Sequence, residues 1–330
     1  MSAALAAVDL GTNTVRLLVA DADPVGGLTP RAVDQVVARL GEGLRERGRL
    51  APAAVDRTLR AVRRCRDRAL ALGADEILLV ATAAVRQAEN GDALLARLAA
   101  EPRVRARVVS GAEEARLTLL GAAWGLGGRR DRFGLVDVGG GSTEFAVAEG
   151  DRVLGAVSVT VGVVDLAERF FARDPVDAGE LRACREHVAR RLRDEVWPVL
   201  GPVDPVEWVA TAGTPTTLAA LDLALARYDA ARVRGHRLAR ARIDRLVAWL
   251  AALPLAARAR LPGLEPGRAD VLVPGALVLA AALAGLGLEA FTVADTGLRE
   301  GILLDAVGWR PSAAPPAGRP SAADRERRRQ

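Results

Sequence analysis

The chain has 330 residues and a formal net charge of +5, and 50% of its residues are hydrophobic. This length fits two domains or one large one, and no apolar run reaches the roughly 18–20 residues that a membrane span needs. The N-terminus shows no secretory signal, so we expect a cytoplasmic protein. Two cysteines and two histidines exclude a disulfide framework and a structural zinc site. Because all 46 basic residues are arginines, a Gly-Lys-Ser/Thr phosphate loop and Schiff-base chemistry are also excluded.

Much of the net charge lies in the last 21 residues, 310–330. This segment holds six arginines against Asp324 and Glu326 and is rich in Pro, Ala and Ser, so we expect a disordered tail. Its arginines could contact a polyanion such as RNA or polyphosphate, although a solvated end without a partner is the simpler interpretation. Aromatic residues make up only 3% of the chain, which leaves no stacking platform for single strands. A nucleic-acid partner is therefore not expected.

In chain order, the predicted elements begin with a β-hairpin. Its first apolar run is at 4–10, a Gly-Thr-Asn-Thr turn follows, and the second run reaches Ala20. The first half continues with a helix at about 52–72, a strand at 76–82, a helix near 90–100, a strand at 104–109, a helix from Ala112 to about Gly125 and a linker at 127–131. The second half has helices at about 177–195, 242–253 and 268–285, strands at 206–211 and 290–295, a helix after Thr214 and a last helix ending near 308.

The hairpin sequence occurs twice. VDLGTNTVRLLVA at 8–20 aligns without gaps with VDVGGGSTEFAVA at 136–148, and five of the thirteen positions are identical. A duplicated α/β unit is the simplest account, and chance similarity between two hairpins is the alternative. We expect an α/β protein with one domain at 1–127 and a second at 128–309.

The turn in each copy is suited to binding phosphate. Glycines allow several backbone amides to point at one spot, and small hydroxyls add donors. Asp9 and Asp137 would repel a phosphate directly, so they make sense only as holders of a divalent cation or its waters. The alternative is a pair of hairpin turns that use glycine for positive φ. The candidate phosphate ligands are Gly11, Thr12, Asn13 and Thr14 in the first turn and Gly139, Gly140, Gly141, Ser142 and Thr143 in the second.

A third candidate phosphate site follows the predicted strand at 206–211. The segment Ala-Gly-Thr-Pro-Thr-Thr-Leu suits a helix start, with Thr214 as N-cap and Pro215 in the first helical position. A helix N-terminus presents free amides to an anion, so Gly213 and Thr214 are candidate phosphate ligands. An ordinary helix cap is the alternative.

Glu114 is the candidate for the chemistry. Ser110 and Glu113 have the spacing of a capping box, which gives Glu113 a structural role. Glu114 instead falls on the apolar face of the same helix, so its carboxylate must be paired, protonated or open to a cleft. A general base that activates water would suit this position, and an ordinary ion pair with Arg86 or Arg116 is the alternative. Neither histidine is a candidate, because His187 is predicted on a solvated helix face and His236 in an Arg-rich loop.

Six segments in this order resemble the Ppx/GppA family of exopolyphosphatases and guanosine pentaphosphatases, which belongs with actin, sugar kinases and heat-shock ATPases. They are VDLGTNTVRLLV, ATAAVRQAEN, VVSGAEEARL, VDVGGGSTEF, ATAGTPTTLAAL and TGLREG, and the resemblance covers 1–309. It implies two ribonuclease-H-like domains flanking a cleft and Mg²⁺-dependent hydrolysis of a terminal phosphoanhydride. By motif position, Glu114 matches the catalytic base, Asp137 and Asp9 the metal-associated aspartates, Glu144 a carboxylate near the metal and water, and Arg86 a phosphate contact.

The sequence departs from the family pattern at Ala212, where glycine is expected, and it lacks the added helical domain of longer members, so we expect a preference for shorter chains. The resemblance leaves the substrate open between polyphosphate and guanosine pentaphosphate, the second of which belongs to the stringent response. The resemblance to the family is the only basis for expecting a homodimer. Two other classes stay open, namely a kinase of the same superfold and a nucleotide-bound sensor without turnover.

Overall fold

The computed structural model describes residues 4–128, 132–150, 152–201, 207–265 and 267–311. The predicted tail lies outside these residues from position 312 onward, as do part of the linker at 127–131 and the first residue of the strand predicted at 206–211. No helix within the described segments combines the length and the apolar character that crossing a membrane requires.

Eleven strands form in the described residues. They are β1 (Ala4–Leu10), β2 (Thr14–Asp23), β3 (Gly27–Val37), β4 (Ala74–Ala81), β5 (Val104–Val108), β6 (Arg132–Val138), β7 (Thr143–Glu149), β8 (Arg152–Val159), β9 (Glu207–Thr211), β10 (Arg237–Ala239) and β11 (Ala290–Val293).

Fourteen helices accompany these strands in the described chain. They are α1 (Leu44–Arg47), α2 (Pro52–Ala71), α3 (Ala83–Gln87), α4 (Gly91–Ala99), α5 (Gly111–Gly125), α6 (Val163–Phe170), α7 (Ala178–Glu195), α8 (Trp197–Leu200), α9 (Gly213–Asp222), α10 (Ala230–Val233), α11 (Arg240–Ala252), α12 (Leu255–Arg258), α13 (Leu272–Leu286) and α14 (Leu298–Ala306).

The strands form two sheets with the same core arrangement. The first sheet has the order β3-β2-β1-β4-β5, and the second has the order β10-β11-β9-β6-β7-β8. In each sheet a three-strand antiparallel meander is followed by parallel neighbours, so β6, β7, β8 and β9 repeat β1, β2, β3 and β4. The predicted duplication and the mixed α/β fold class are therefore confirmed in the backbone.

Helix α5 lies between the two sheets. On one side Leu117 and Leu120 belong to a buried cluster with residues of the first sheet, and on the other Leu119 and Ala122 pack with the second sheet. Gly121 allows α14 to approach closely, because a Cβ at this position would overlap the carbonyl oxygen of Gly297. A side chain on the buried face at the start of α5 is consequently held between the two halves of the molecule.

The last helix crosses the predicted division at 127/128. Helix α14 comes from the second half of the chain, yet Ile302 and Leu303 pack in one cluster with Ala7 and Leu18 of the first sheet. The two sheets do fall on either side of the predicted boundary, which itself stays a prediction. The C-terminal helix thus joins the two halves a second time.

Several local predictions were wrong. Strands β3 and β8 and helix α6 were not predicted, and α13 begins at Leu272 rather than at 268. His187 does not face solvent: it is 7% exposed, and its ring lies 5.2 Å from the ring of Phe170. Burial and, to a smaller extent, the charges of neighbouring arginines lower the pKa of His187 to about 4. The surrounding arginines made this helix segment look solvated in the sequence.

Candidate active site

The predicted site residues surround one cleft of about 960 Å³ between the two sheets, which we call the central cleft. The turn after β1, the turn after β6, the start of α5 and the loop between β9 and α9 all reach it. Predicted ligands that line it are Asp9, Gly11, Thr12, Asn13, Thr14, Glu114, Asp137, Gly139, Gly140, Gly141, Ser142, Gly213 and Thr214. Three further predicted residues do not line the cleft themselves, namely Arg86, Thr143 and Glu144. Arg86 and Glu144 each form a hydrogen bond with a lining residue, Glu114 and Ser142 respectively.

The two turns, loop 1 (Gly11–Thr14) and loop 2 (Gly139–Ser142), have the same geometry. The Gly11 amide donates to Thr14 O at 3.0 Å, and the Gly139 amide donates to Ser142 O at the same distance. None of the four glycines in these loops has positive φ, so the alternative based on backbone strain is wrong. Glycine is required here by close approach, because a Cβ on Gly140 would lie 2.9 Å from the Thr12 Cβ. The loops therefore touch across the boundary between the two halves.

The hydroxyls of loop 2 are held by protein groups. The Ser142 hydroxyl donates to Glu144 Oε1 at 2.7 Å, and the Ser158 hydroxyl donates to the same oxygen at the same distance. Thr143 is fully buried, and its hydroxyl donates to Val161 O at 2.6 Å. Loop 2 thus presents mainly its backbone to the cleft, while Ser142, together with Ser158 of β8, fixes the position of Glu144.

Four carboxylates gather at the centre. In the strand register Asp9 lies opposite Arg16, and Asp137 lies opposite Glu144 at the equivalent place in the second sheet. Burial raises the pKa of Asp137 to about 7, and the charges of Glu144 and Asp9 act in the same direction. Burial also raises the pKa of Asp9, against the opposing charge of Arg16. For Glu144, burial raises the pKa although two serine hydroxyls stabilise the charged form.

Glu114 is 7% exposed at the start of α5. Arg86 Nη1 donates to Glu114 Oε2 at 3.1 Å and to Val109 O at 2.8 Å, so Arg86 orients the carboxylate. Burial raises the pKa of Glu114 well above its usual value, Glu144 and Asp137 raise it further, and Arg86 lowers it. Arg116 pairs with Asp305 instead, at 2.9 Å. Glu114 is therefore both paired and open to the central cleft.

The capping prediction for α5 was half right. Ser110 Oγ accepts from the Glu113 amide at 3.2 Å, as an N-cap does. The Glu113 side chain does not return to Ser110, because it forms an ion pair with Arg107 on β5. Glu113 and Glu114 thus have separate surroundings, one at the surface and one buried.

The third predicted loop has a different helix start from the expected one. Helix α9 begins at Gly213, so Thr214 is not the N-cap, and Ala212 precedes the helix with a φ of 80° and no capping side chain. A Cβ on Gly213 would overlap the guanidinium of Arg268, which packs on this turn. The N-terminal amides of α9 still border the cleft, together with this arginine.

Arg16, Arg268 and Arg299 bring positive charge to the cleft. Arg268 is bound to Glu265 at 2.6 Å and donates to Gln35 Oε1 of the other half at 3.1 Å. Burial lowers the pKa of Arg268 to about 10, which leaves it charged at neutral pH. The sequence analysis did not predict Arg16 as a site residue. Its position in the repeat, aligned with the candidate Glu144, was a signal that could have identified it.

The carboxylates fit a magnesium ion that the substrate helps to hold. Among the described residues no group of three or more His, Cys, Asp or Glu side chains could hold a metal alone. Mg²⁺ in phosphate-binding sites commonly uses one or two carboxylates and completes its shell with water and phosphate oxygens. Asp9 and Asp137 provide such a pair, and their raised pKa values reflect above all the burial of two negative charges, which a cation would stabilise.

Comparison with known proteins agrees with this geometry. The model of the Ppx/GppA phosphatase family matches residues 18–309. Exopolyphosphatase 2 of Mycobacterium tuberculosis is 36% identical over 322 residues, covering 92% of this chain and 98% of the relative. The crystal structure of the Aquifex aeolicus Ppx/GppA family member is 30% identical, with a TM-score of 0.77, and the match covers 92% of this chain and 97% of that chain. The crystal structure of an exopolyphosphatase-like protein is 29% identical, with a TM-score of 0.83, and the match covers 92% of this chain and 98% of that chain. Since the family model matches residues 18–309 and a family structure matches the fold over 92% of the chain, this chain belongs to the Ppx/GppA phosphatase family.

Proposed function

We propose that this protein is an exopolyphosphatase that releases terminal orthophosphate from inorganic polyphosphate, with Mg²⁺ as cofactor and Glu114 as general base. The observation that carries the proposal is a buried carboxylate, Glu114, lining the same cleft as two Gly-rich loops. The name of the mycobacterial relative supports the same substrate.

In the proposed reaction, water attacks the terminal phosphorus in line with the bridging oxygen. The water gives its proton to Glu114, the P–O bond to the bridging oxygen breaks, and the shortened chain leaves as an anion. Arg86 keeps the carboxylate oriented toward the cleft while loop 1 and loop 2 offer backbone amides to the terminal phosphate. Phosphoryl transfer depends mainly on such positioning and on charge neutralisation.

Charge neutralisation is the harder requirement in this cleft. Its lining holds seven carboxylates and only five arginines, so a polyanion would meet net repulsion from the protein alone. Mg²⁺ held by Asp9 and Asp137 would supply the missing positive charge and polarise the phosphate oxygens. Arg16, Arg268 and Arg299 line the same cleft and would bind further phosphates, because guanidinium groups bind phosphate in a bidentate manner.

Guanosine pentaphosphate is the second candidate substrate, favoured by one feature of the cleft. Its lining includes Tyr228, a residue that is 48% exposed. An exposed aromatic ring can stack on a nucleobase, which polyphosphate lacks. Removal of the 5′-terminal phosphate would use the same loops and the same base.

A phosphate-release assay with Mg²⁺ tests the proposal. It compares short polyphosphate, long polyphosphate and guanosine pentaphosphate under identical conditions. Faster release from polyphosphate supports it, and the ratio between short and long chains tests the expected preference for shorter chains. Faster release from guanosine pentaphosphate would show that the pentaphosphate, and not polyphosphate, is the substrate. A Tyr228→Ala variant separates the two, since it should slow only the nucleotide reaction.

A further inference from the structure

A second, smaller cavity lies on the opposite side of the phosphate loops. This rear pocket has a volume of about 160 Å³, and Thr12, Gly140 and Gly141 line both it and the central cleft. The contact between loop 1 and loop 2 therefore forms a wall that the two spaces share. The volume is about that of five water molecules, which is enough for one orthophosphate.

The rear pocket is bordered by three arginines, Arg45, Arg169 and Arg191, and by two carboxylates, Asp165 and Glu168. All three guanidinium charges lower the pKa of Asp165, although its burial has the larger, opposite effect. Three positive charges thus converge on a single aspartate, and the formal charge of the side chains around the pocket is positive.

Arg169 is the guanidinium with most capacity for a ligand. Arg45 Nε pairs with Asp165 at 2.8 Å, and Arg191 is bonded to Glu195. Arg169 lies over the Phe170 ring at 5.0 Å, and its Nη1 is 3.4 Å from His187 Nε2. Within the described part of the chain it forms no ion pair with a carboxylate. His187 is neutral at physiological pH, so it does not satisfy this charge either.

The wall between the two spaces is a joint between the two halves of the protein. Behind loop 1, the Gly41 amide donates to Thr12 O at 2.9 Å, and behind loop 2, the Val164 amide donates to Gly140 O at 2.9 Å. Across the joint, the Gly43 amide donates to Glu168 Oε1 at 3.0 Å beside the partly buried Arg45–Asp165 pair. The Gly43–Glu168 bond is exposed and contributes little free energy, so passage requires chiefly that Thr12 separates from Gly140 and Gly141 at the loop contact.

We propose that the rear pocket is an exit site for orthophosphate, in which Arg169 receives the product after it passes between loop 1 and loop 2. The inference rests on the proposed exopolyphosphatase activity, because that reaction leaves orthophosphate at the loops while the shortened chain fills the central cleft. An exit on the far side frees the loops without removal of the chain. The next terminal phosphate can then advance into them.

A binding measurement tests the site without catalysis. With the central cleft filled by a methylene-bridged triphosphate, equilibrium dialysis measures binding of radiolabelled orthophosphate to the wild type, Arg169→Gln and Arg190→Gln. Arg190 is the matched control, because its Nη2 lies 3.3 Å from the other nitrogen of His187 but it does not line the rear pocket. Binding should weaken about tenfold in Arg169→Gln, as expected for one lost charge-assisted hydrogen bond, and stay unchanged in Arg190→Gln.

A kinetic measurement tests passage. Thr160→Trp narrows the rear pocket without removing a charge, and Thr160 does not line the central cleft. In a single turnover, phosphate formed after acid quench should match the wild type, while free phosphate seen by a fluorescent phosphate-binding protein should appear several-fold later. Equal release by this variant, or equal phosphate binding by the two arginine variants, overturns the exit site. If the wild type forms no phosphate after acid quench, the polyphosphatase activity is refuted instead. The dialysis experiment would then still show whether the rear pocket binds orthophosphate.

Discussion

Replacing Glu114 by Gln gives the sharpest test of the proposed mechanism. The amide has the shape of the carboxylate and keeps an oxygen for the Arg86 guanidinium, but it cannot take a proton from water. A positioned general base contributes about 10²–10⁴ in rate, so the barrier should rise by about 2.7–5.4 kcal/mol. The turnover number should fall by this factor while the KM for polyphosphate stays near that of the wild type.

Folding should not suffer in this variant. Glu114 carries a pKa well above its usual value because burial and the charges of Glu144 and Asp137 oppose its ionisation. A neutral side chain removes that repulsion, so the melting temperature should stay constant or rise. Loss of activity together with a lower melting temperature would indicate a structural role instead.

Glu113→Gln is the matched control, since it changes the neighbouring glutamate on the same helix. Glu113 pairs with Arg107 at the surface and does not line the central cleft. Its turnover number should remain within about twofold of the wild type, as an exposed ion pair contributes little. Initial phosphate release at saturating polyphosphate, with melting curves for all three proteins, provides the comparison. A Glu114→Gln enzyme with more than a tenth of wild-type turnover would remove Glu114 from the chemistry.

Three further predictions concern the metal, the packing between helices and the buried histidine. Asp137→Asn should raise the Mg²⁺ concentration for half-maximal phosphate release by about tenfold or more, and chelation by EDTA should abolish release by the wild type. Gly121→Ala should lower the free energy of unfolding by about 1–3 kcal/mol in urea titrations, because its Cβ meets the backbone of α14, whereas Gly155→Ala, which meets no atom closer than 3.7 Å, should be near neutral. The pKa of His187 is lowered to about 4 from 6.5, so between these values the unfolded chain binds the proton and the folded chain does not. As pH falls through this window the wild type should therefore lose more stability than His187→Gln, and parallel losses in urea titrations at pH 6.5 and 4.5 would contradict the assignment.

The duplicated hairpin could be predicted because its signal is local and occurs twice. Each copy pairs an apolar strand with a glycine turn, and the gap-free alignment places Asp9 and Asp137 at equivalent points of two sheets. The inward position of Glu114 followed from helical spacing alone. Both features depend on residues close together in the chain, where periodicity is informative.

Edge strands and long-range packing could not be predicted in the same way. Strand β3 contains Pro30 and two charged residues, Arg31 and Asp34, and it lies at the edge of its sheet. Strand β8 occupies the equivalent edge and includes Gly155. Nothing in the sequence of α14 indicates that it returns to the first sheet, because its apolar face would suit either half. The packing of α14 therefore depends on partners more than a hundred residues away.

The helix start at Gly213 shows a related limit. Thr214 and Pro215 have the residue types of an N-cap and a first helical residue. The observed start comes earlier because Ala212 turns the chain with positive φ and Arg268 packs directly on Gly213. A tertiary contact therefore overrides a local capping preference at the border of the central cleft.

The duplication explains how two similar hairpins divide the proposed chemistry. At equivalent register positions the first hairpin has Arg16 and the second has Glu144, opposite Asp9 and Asp137 respectively. Arg16 lowers the pKa values of both aspartates, which favours the charged forms that a cation needs. Glu144 has the reverse effect and raises the pKa values of both Glu114 and Asp137. A general base works best when its pKa approaches the reaction pH, so this effect suits the role proposed for Glu114, whereas Asp137 would need a cation to keep its charge. One substitution between the two copies thus places a charge that favours ionised carboxylates beside Asp9 and a charge that opposes their ionisation beside Asp137 and Glu114.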